Sequence, residues 1–213
     1  MLTIWGRRTS SNVQALMWCV GELDLPYTRH DAGHRFGGLD SDDFALLNPN
    51  RTIPVLQDGD DDPIWETGAI LRYLASRYGG GTFWPGAPGL RAQVDKWADW
   101  AKLNVAMAFT VPVFWQLVRT PPEARDLAAL ATACSALEDM LGIADAQLQR
   151  HPYLAGHHFT LADIQLGHML YRYYDIDIER RALPALRSYY ERLARRPAYR
   201  AHVMISYDEL RPV

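Results

Sequence analysis

A proline at the head of a short β-rich run is the feature that most restricts how this chain can fold. From Asn48 to Leu74 the sequence reads NPNRTIPVLQDGDDDPIWETGAILRYL. Ile53-Pro54-Val55-Leu56 is a brief apolar run, Gln57 to Pro63 a polar turn, and Ile64-Trp65 a second apolar pair. Two such runs joined by Asp and Gly predict a hairpin. Pro54 has no N–H to donate, so it belongs at a sheet edge or an irregular strand start. Glu66-Thr67-Gly68 then opens an amphipathic stretch, with Ala69, Ile70, Tyr73 and Leu74 on one side and Arg72 and Ser76 on the other. A strand running straight into a helix leaves free backbone N–H groups and a positive dipole end beside Glu66 and Thr67, a place to hold a carboxylate. Periodicity alone is equally consistent with a plain hairpin followed by a helix.

Upstream, Leu2 to Trp5 predict a strand ended by Gly6. Thr9, Ser10, Ser11 and Asn12 precede Val13, Leu16, Met17 and Val20, whose spacing is helical, and any of the four polar residues is a suitable N-cap. A second strand is expected around Tyr27 to His30. The Gly- and charge-rich Asp31 to Asp43 then forms a loop leading to a short helix near Asp43 to Leu47. Residues 1–78 therefore read β-α-β-α-β-β-α, an α/β sandwich with a mixed sheet.

GGGTFWPGAPG, Gly79 to Gly89, is rich in breakers and marks a domain boundary, with 79–87 as linker. Residues 88–213 read as all helical. A long run from Leu90 should kink at Pro112, and Pro121-Pro122 end it. Leu127 to Leu148 carry the next helix. Thr160-Leu161-Ala162-Asp163 resembles a capping box, and Ile164 to Tyr174, apolar on most sides, predicts a central buried helix. Leu183, Leu186, Tyr190 and Leu193 mark one more.

A chain of 213 residues can bury a sizeable core in one or two domains. Its net charge of −3 argues against a nucleic-acid binder. MLTIWGRR lacks the organisation of a signal peptide, and no uninterrupted apolar run reaches the roughly 18–20 residues of a membrane span. A cytoplasmic protein is expected, with no membrane partner. Cys19 and Cys134 both fall in helix-like patterns, so no disulfide framework is expected.

N-P-N-x-x-I-P-V-L, followed about ten residues later by W-E-T-x-A-I-x-x-Y-L, resembles the glutathione-binding half of the glutathione transferases. F-T-L-A-D-I, with Asp163 as its structural acid, is similar to their helical half. The resemblance spans nearly the whole chain. It implies a thioredoxin-like domain with a mixed four-stranded sheet over 1–78 and a helical bundle domain over 88–213. It also implies a cis bond before Pro54, glutathione as co-substrate rather than a cofactor, and a homodimer. Ile53 would pair its backbone with the cysteinyl part of glutathione, and Glu66 and Thr67 would hold the γ-glutamyl end. Asn50, Thr52, Pro54 and Ser11 complete the implied peptide site, and Arg35 would reach its glycine carboxylate. Met107, Phe109, Thr110 and Phe114 would line an apolar pocket for the second substrate. Thr67 stands where Ser is usual and keeps the hydroxyl. Arg51 replaces a common Gly, which leaves the conformation of that turn open.

Chemistry with glutathione needs a thiolate. A free thiol with a pKa near about 8.5 is only a few per cent ionised at pH 7. Lowering that pKa by about 2 units takes about 2.7 kcal/mol of anion stabilisation. A hydroxyl donating to the charged sulfur supplies about 1.5–3 kcal/mol, and a helix N-terminus adds about 0.3–1 kcal/mol. The Thr9 to Asn12 stretch has both features. Ser10 falls where zeta- and phi-like transferases keep a catalytic serine, with Asn12 as helper and Ser11 as the other candidate donor; helix capping is the competing role for all three.

No C-x-x-C is present, so dithiol exchange is not expected. A peroxidase, disulfide reductase, isomerase or reductive dehalogenase working through the bound tripeptide remains open, as does a low-turnover binding or stress-regulatory protein. His151, His157, His158 and His168 lack carboxylates or cysteines at ligand spacing, so no metal is expected and ordinary hydrogen bonding is the better reading.

Overall fold

A computed structural model describes residues 1–212. β1 (Leu2–Trp5), α1 (Ser11–Glu22), β2 (Tyr27–His30), α2 (Asp42–Leu47), β3 (Val55–Asp58), β4 (Ile64–Trp65) and α3 (Thr67–Tyr78) follow in the expected order. The four strands form one sheet, ordered β2-β1-β3-β4. β1 and β2 are parallel, while β1/β3 and β3/β4 are antiparallel, so the sheet is mixed. This is the thioredoxin-like arrangement. Eight consecutive residues of α1, Val13 to Val20, are buried. The sequence predicted one apolar face; the whole helix is enclosed because it packs against α3 and against the helical domain as well.

The second domain begins with α4 (Pro88–Val118). The kink expected at Pro112 takes the form of a π-helical stretch, Thr110–Trp115, preceded by another at Ala101–Val105. A wider turn accommodates a residue that cannot donate to the i−4 carbonyl. α5 (Leu127–Leu148) is capped by Asp126, whose carboxylate accepts from Ala128 N at 3.1 Å and Ala129 N at 2.9 Å. α4 and α5 are each long and apolar enough to cross a membrane. Here their buried residues belong to the bundle core, with Val94, Ala98, Leu137 and Leu141 among them. α6 (Leu161–Asp175) is the central buried helix, and α7 (Pro184–Ala194) and α8 (Pro197–His202) pack outside it.

Ion pairs and one aromatic wedge tie the domains. Arg72 on α3 reaches Asp95 at 2.6 Å and Asp99 at 2.5 Å on α4. Glu22 at the end of α1 accepts from Arg196 at 2.5 and 2.7 Å and from Trp18 Nε1 at 2.7 Å. The Trp18 ring lies so close to Gly167 on α6 that a Cβ there would sit 2.8 Å from it. Only glycine admits this packing.

Candidate active site

The sheet register gathers the candidate residues at one end. Trp5 of β1 pairs with Val55 of β3, and Val55 pairs with Trp65 of β4. The turn after Trp5, the Ile53-Pro54 segment before Val55 and the Glu66-Thr67 pair after Trp65 therefore leave the sheet from the same end. Ile53 packs on Gly6, whose φ of +150° suits glycine, and the Ile53–Pro54 peptide is cis.

The turn leading to Pro54 is organised by Asn48, a buried side chain. Its Nδ2 donates to Thr52 O at 2.8 Å and Thr52 Oγ1 at 3.1 Å, and its Oδ1 accepts from Asn50 N at 3.0 Å. Asn50 and Thr52 are exposed beside it. Arg51 holds φ at +53°, the left-handed conformation in which glycine would cost least. Its guanidinium compensates by donating to Leu39 O at 3.1 Å and Ser41 O at 2.9 Å. The open question about this turn is thus answered: the backbone keeps a glycine-like shape, and the side chain anchors the preceding loop.

Glu66, at the start of α3, also has positive φ, +69°. No side chain caps that helix, and its first internal bond is Ile70 N to Glu66 O at 3.0 Å. The N–H groups of Thr67, Gly68 and Ala69 therefore remain available to an anion. Thr67 is buried and Glu66 exposed.

Ser10 is the N-cap residue of α1, with φ −75° and ψ 126°, yet its side chain makes no capping hydrogen bond. Ser41 shows the usual behaviour at the start of α2, its Oγ accepting from Phe44 N at 3.2 Å. Capping was the competing role for Ser10, and the hydroxyl does not perform it. Ser11 is the first helical residue and is half-buried. Asn12 Oδ1 accepts from Lys102 Nζ at 2.8 Å. Burial holds the Lys102 ammonium below its usual pKa, opposed by the charge of Glu66. Lys102 thus lies between the openings of α1 and α3.

Further contacts arrive from the other end of the chain. Thr9 Oγ1 donates to Glu209, which also pairs with Arg35 at 3.0 Å. Arg172 Nη2 donates to Thr9 O at 2.6 Å. Nothing in the local sequence pointed to Lys102, Arg172 or Glu209. Lys102 was visible only as one of two lysines among 22 cationic residues.

The second-substrate residues divide. Met107 is 69% exposed and Thr110 half-buried, but Phe109 and Phe114 are only 3% and 1% exposed. Phe109 packs on Tyr173 and Phe114 on Tyr207, so both rings belong to the core. Beyond Leu90 near its start, the exposed large apolar positions of α4 are Leu103, Met107, Val111 and Trp115, at four-residue intervals. His151 and His157 meet edge-on, 5.7 Å between ring centres, while buried His168 bonds the Ile164 carbonyl at 3.0 Å.

Comparison with known proteins matches residues 1–76 to the glutathione S-transferase N-terminal domain and residues 105–197 to the C-terminal domain. Glutathione S-transferase GstB of Escherichia coli is 38% identical over 206 residues, 96% of this chain and 99% of its own. A theta class glutathione S-transferase from Xanthomonas axonopodis pv. citri, crystallised with glutathione bound, superposes with a TM-score of 0.91 at 44% identity, covering 96% of this chain and 98% of that one. The disulfide-bond oxidoreductase YghU of E. coli is 31% identical over 148 residues, 68% of this chain and 48% of its own.

Proposed function

The chain belongs to the glutathione S-transferase family, and from that premise we propose that Ser10 donates its hydroxyl to the sulfur of bound glutathione and holds it as the thiolate. The observation that carries this reading is a hydroxyl at the mouth of α1 that makes no capping hydrogen bond. Placed there, it adds a direct hydrogen bond to the positive end of a helix. Asn12, held by Lys102, fixes the approach of the cysteinyl segment, and Ser11 flanks it. Ile53 pairs with the peptide backbone beside Pro54, next to Asn50 and Thr52. Glu66 takes the γ-glutamyl ammonium, while Thr67 and the free N–H groups of α3 take its carboxylate. Arg35 serves the glycine end.

The thiolate then attacks an electrophilic carbon held against α4, at Met107 and Thr110, and the leaving group departs with its electron pair. Catalysis comes from thiolate supply and proximity, without a proton relay. We assign glutathione binding to residues 1–78 and second-substrate binding to 88–213, joined through 79–87, in a cytoplasmic homodimeric detoxification enzyme.

A second reading, glutathione-dependent disulfide reduction, is favoured by the likeness to YghU. It would run on the bound tripeptide, because Cys19 is fully buried and burial drives its thiol pKa upward. The deciding experiment titrates the thiol of bound glutathione by absorbance and measures conjugation of an aryl halide, in wild type, Ser10→Ala and Ser11→Ala. Ser10→Ala should raise the thiol pKa and slow conjugation while glutathione still binds. Unchanged values would end the Ser10 assignment. Oxidised glutathione as the product, rather than a conjugate, would favour the second reading.

A further inference from the structure

We propose that Arg7, Arg119 and Arg172 form an anion site beside Ser10, and that the preferred electrophile carries a carboxylate or similar negative group. The inference rests on the transferase reading and extends it to the class of second substrate.

The three guanidiniums come from three places: the turn after β1, the end of α4 and the last turns of α6. Arg172 is 4% exposed, and its Nη2 fixes the Thr9 carbonyl, one residue from Ser10. Its guanidinium lies over the rings of Phe114, at 4.7 Å, and Tyr207, at 5.7 Å. Arg119 stacks on Trp115 at 4.2 Å. Arg7 Nη1 lies against Gly33. The buried Nε–H of each of the three lacks an acceptor among the described residues. Buried donors of this kind are uncommon and call for a partner.

Like charges crowd one another here. Burial lowers the pKa of all three, Arg119 depresses Arg7 further, and Arg119 and Arg7 both depress Arg172, which falls to about 10. The carboxylate of Glu209 acts on Arg7, and it is already shared between Thr9 and Arg35. Arg72 and Arg196, by contrast, pair with acids in this same chain. A planar anion matches the fork of guanidinium donors. The apolar positions Leu103, Met107, Val111 and Trp115 end one turn before Arg119, so the expected substrate has an apolar body and an anionic end.

The test compares 4-(bromomethyl)benzoate with 4-(bromomethyl)benzamide. In both, the glutathione thiolate forms a C–S bond at the benzylic carbon, and bromide leaves with the bonding pair. Wild type should favour the benzoate in kcat/KM by about tenfold or more. Arg119→Gln should collapse that ratio, Arg119→Lys should leave it intermediate, and Arg7→Gln supplies a second site. Equal ratios in wild type and both Gln variants would overturn the proposal. So would an effect confined to the KM for glutathione, which would assign the arginines to its glycine carboxylate.

Should neither compound turn over, the transferase reading fails, and calorimetric binding of 4-(hydroxymethyl)benzoate to the enzyme saturated with S-methylglutathione decides the anion site by itself. Binding lost in Arg119→Gln supports the site, and no binding to wild type removes it.

Discussion

Two helices begin with similar polar residues and put them to opposite use. At α6 the capping carboxylate is fully engaged: Asp163 accepts from Leu154 N at 3.0 Å, Thr160 N at 2.8 Å, Thr160 Oγ1 at 3.2 Å and Tyr189 OH at 2.8 Å. At α1 the backbone of Thr9 is clamped by Arg172, but the Ser10 hydroxyl next to it makes no capping hydrogen bond. A helix start that satisfies itself supports the fold. One held rigid from outside, with a donor left over, is suited to a ligand.

The largest expected effect is at α6. Asp163→Ala strands buried donors at Leu154, Thr160 and Tyr189, and should destabilise the protein by about 3–5 kcal/mol in urea unfolding. A loss below 1 kcal/mol would erase the contrast. Ser10→Ala should do the reverse, changing unfolding free energy by less than about 0.5 kcal/mol. It should still lower kcat/KM about 10- to 100-fold, the worth of one hydrogen bond to a charged sulfur. A stability cost matching that of a cap would instead return Ser10 to a structural role.

Acid titration sharpens the same contrast. Burial lowers the His168 pKa to about 3, reinforced by the charges of Lys102 and Arg172, and raises that of Asp163 to about 6 against its hydrogen bonds. Below pH 6.5 the unfolded chain protonates His168 and the folded chain does not, so stability falls as pH drops. Between pH 6 and about 4 the folded chain protonates Asp163 first, so stability rises as pH drops. Each slope is at most about 1.4 kcal/mol per pH unit, and the two oppose one another. His168→Asn should therefore leave a protein that gains stability from pH 6 to 4 relative to wild type, read from urea midpoints. Identical slopes in the two proteins would refute the compensation. The control closes the comparison: Ser41→Ala removes a working cap and should cost about 1 kcal/mol.

Much of this was legible in the chain. The order of strands and helices over 1–78, the Asp163 box and the buried α6 all follow from short-range pattern, because each depends on residues within a turn or two of one another. The residues around Ser10 are another matter. Asn12 meets Lys102 across 90 positions, and Thr9 meets Arg172 and Glu209 across 163 and 200. No local periodicity encodes such a meeting. Phe109 and Phe114 went astray for a related reason. The π-helical turns of α4 shift which residues face inward, so an apolar position near a bend did not reveal its side.

Trp18 and Gly167 leave a mark on any attempt to recombine this protein with a relative. The 79–87 segment between the domains looks like the natural crossover point, but an indole on one side of it fills a notch on the other that tolerates no methyl group. A chimera that inherits the bulky ring without the matching notch would be jammed at the seam, however well each parental half folds. Libraries built by shuffling should therefore carry positions 18 and 167 together as a single inherited unit.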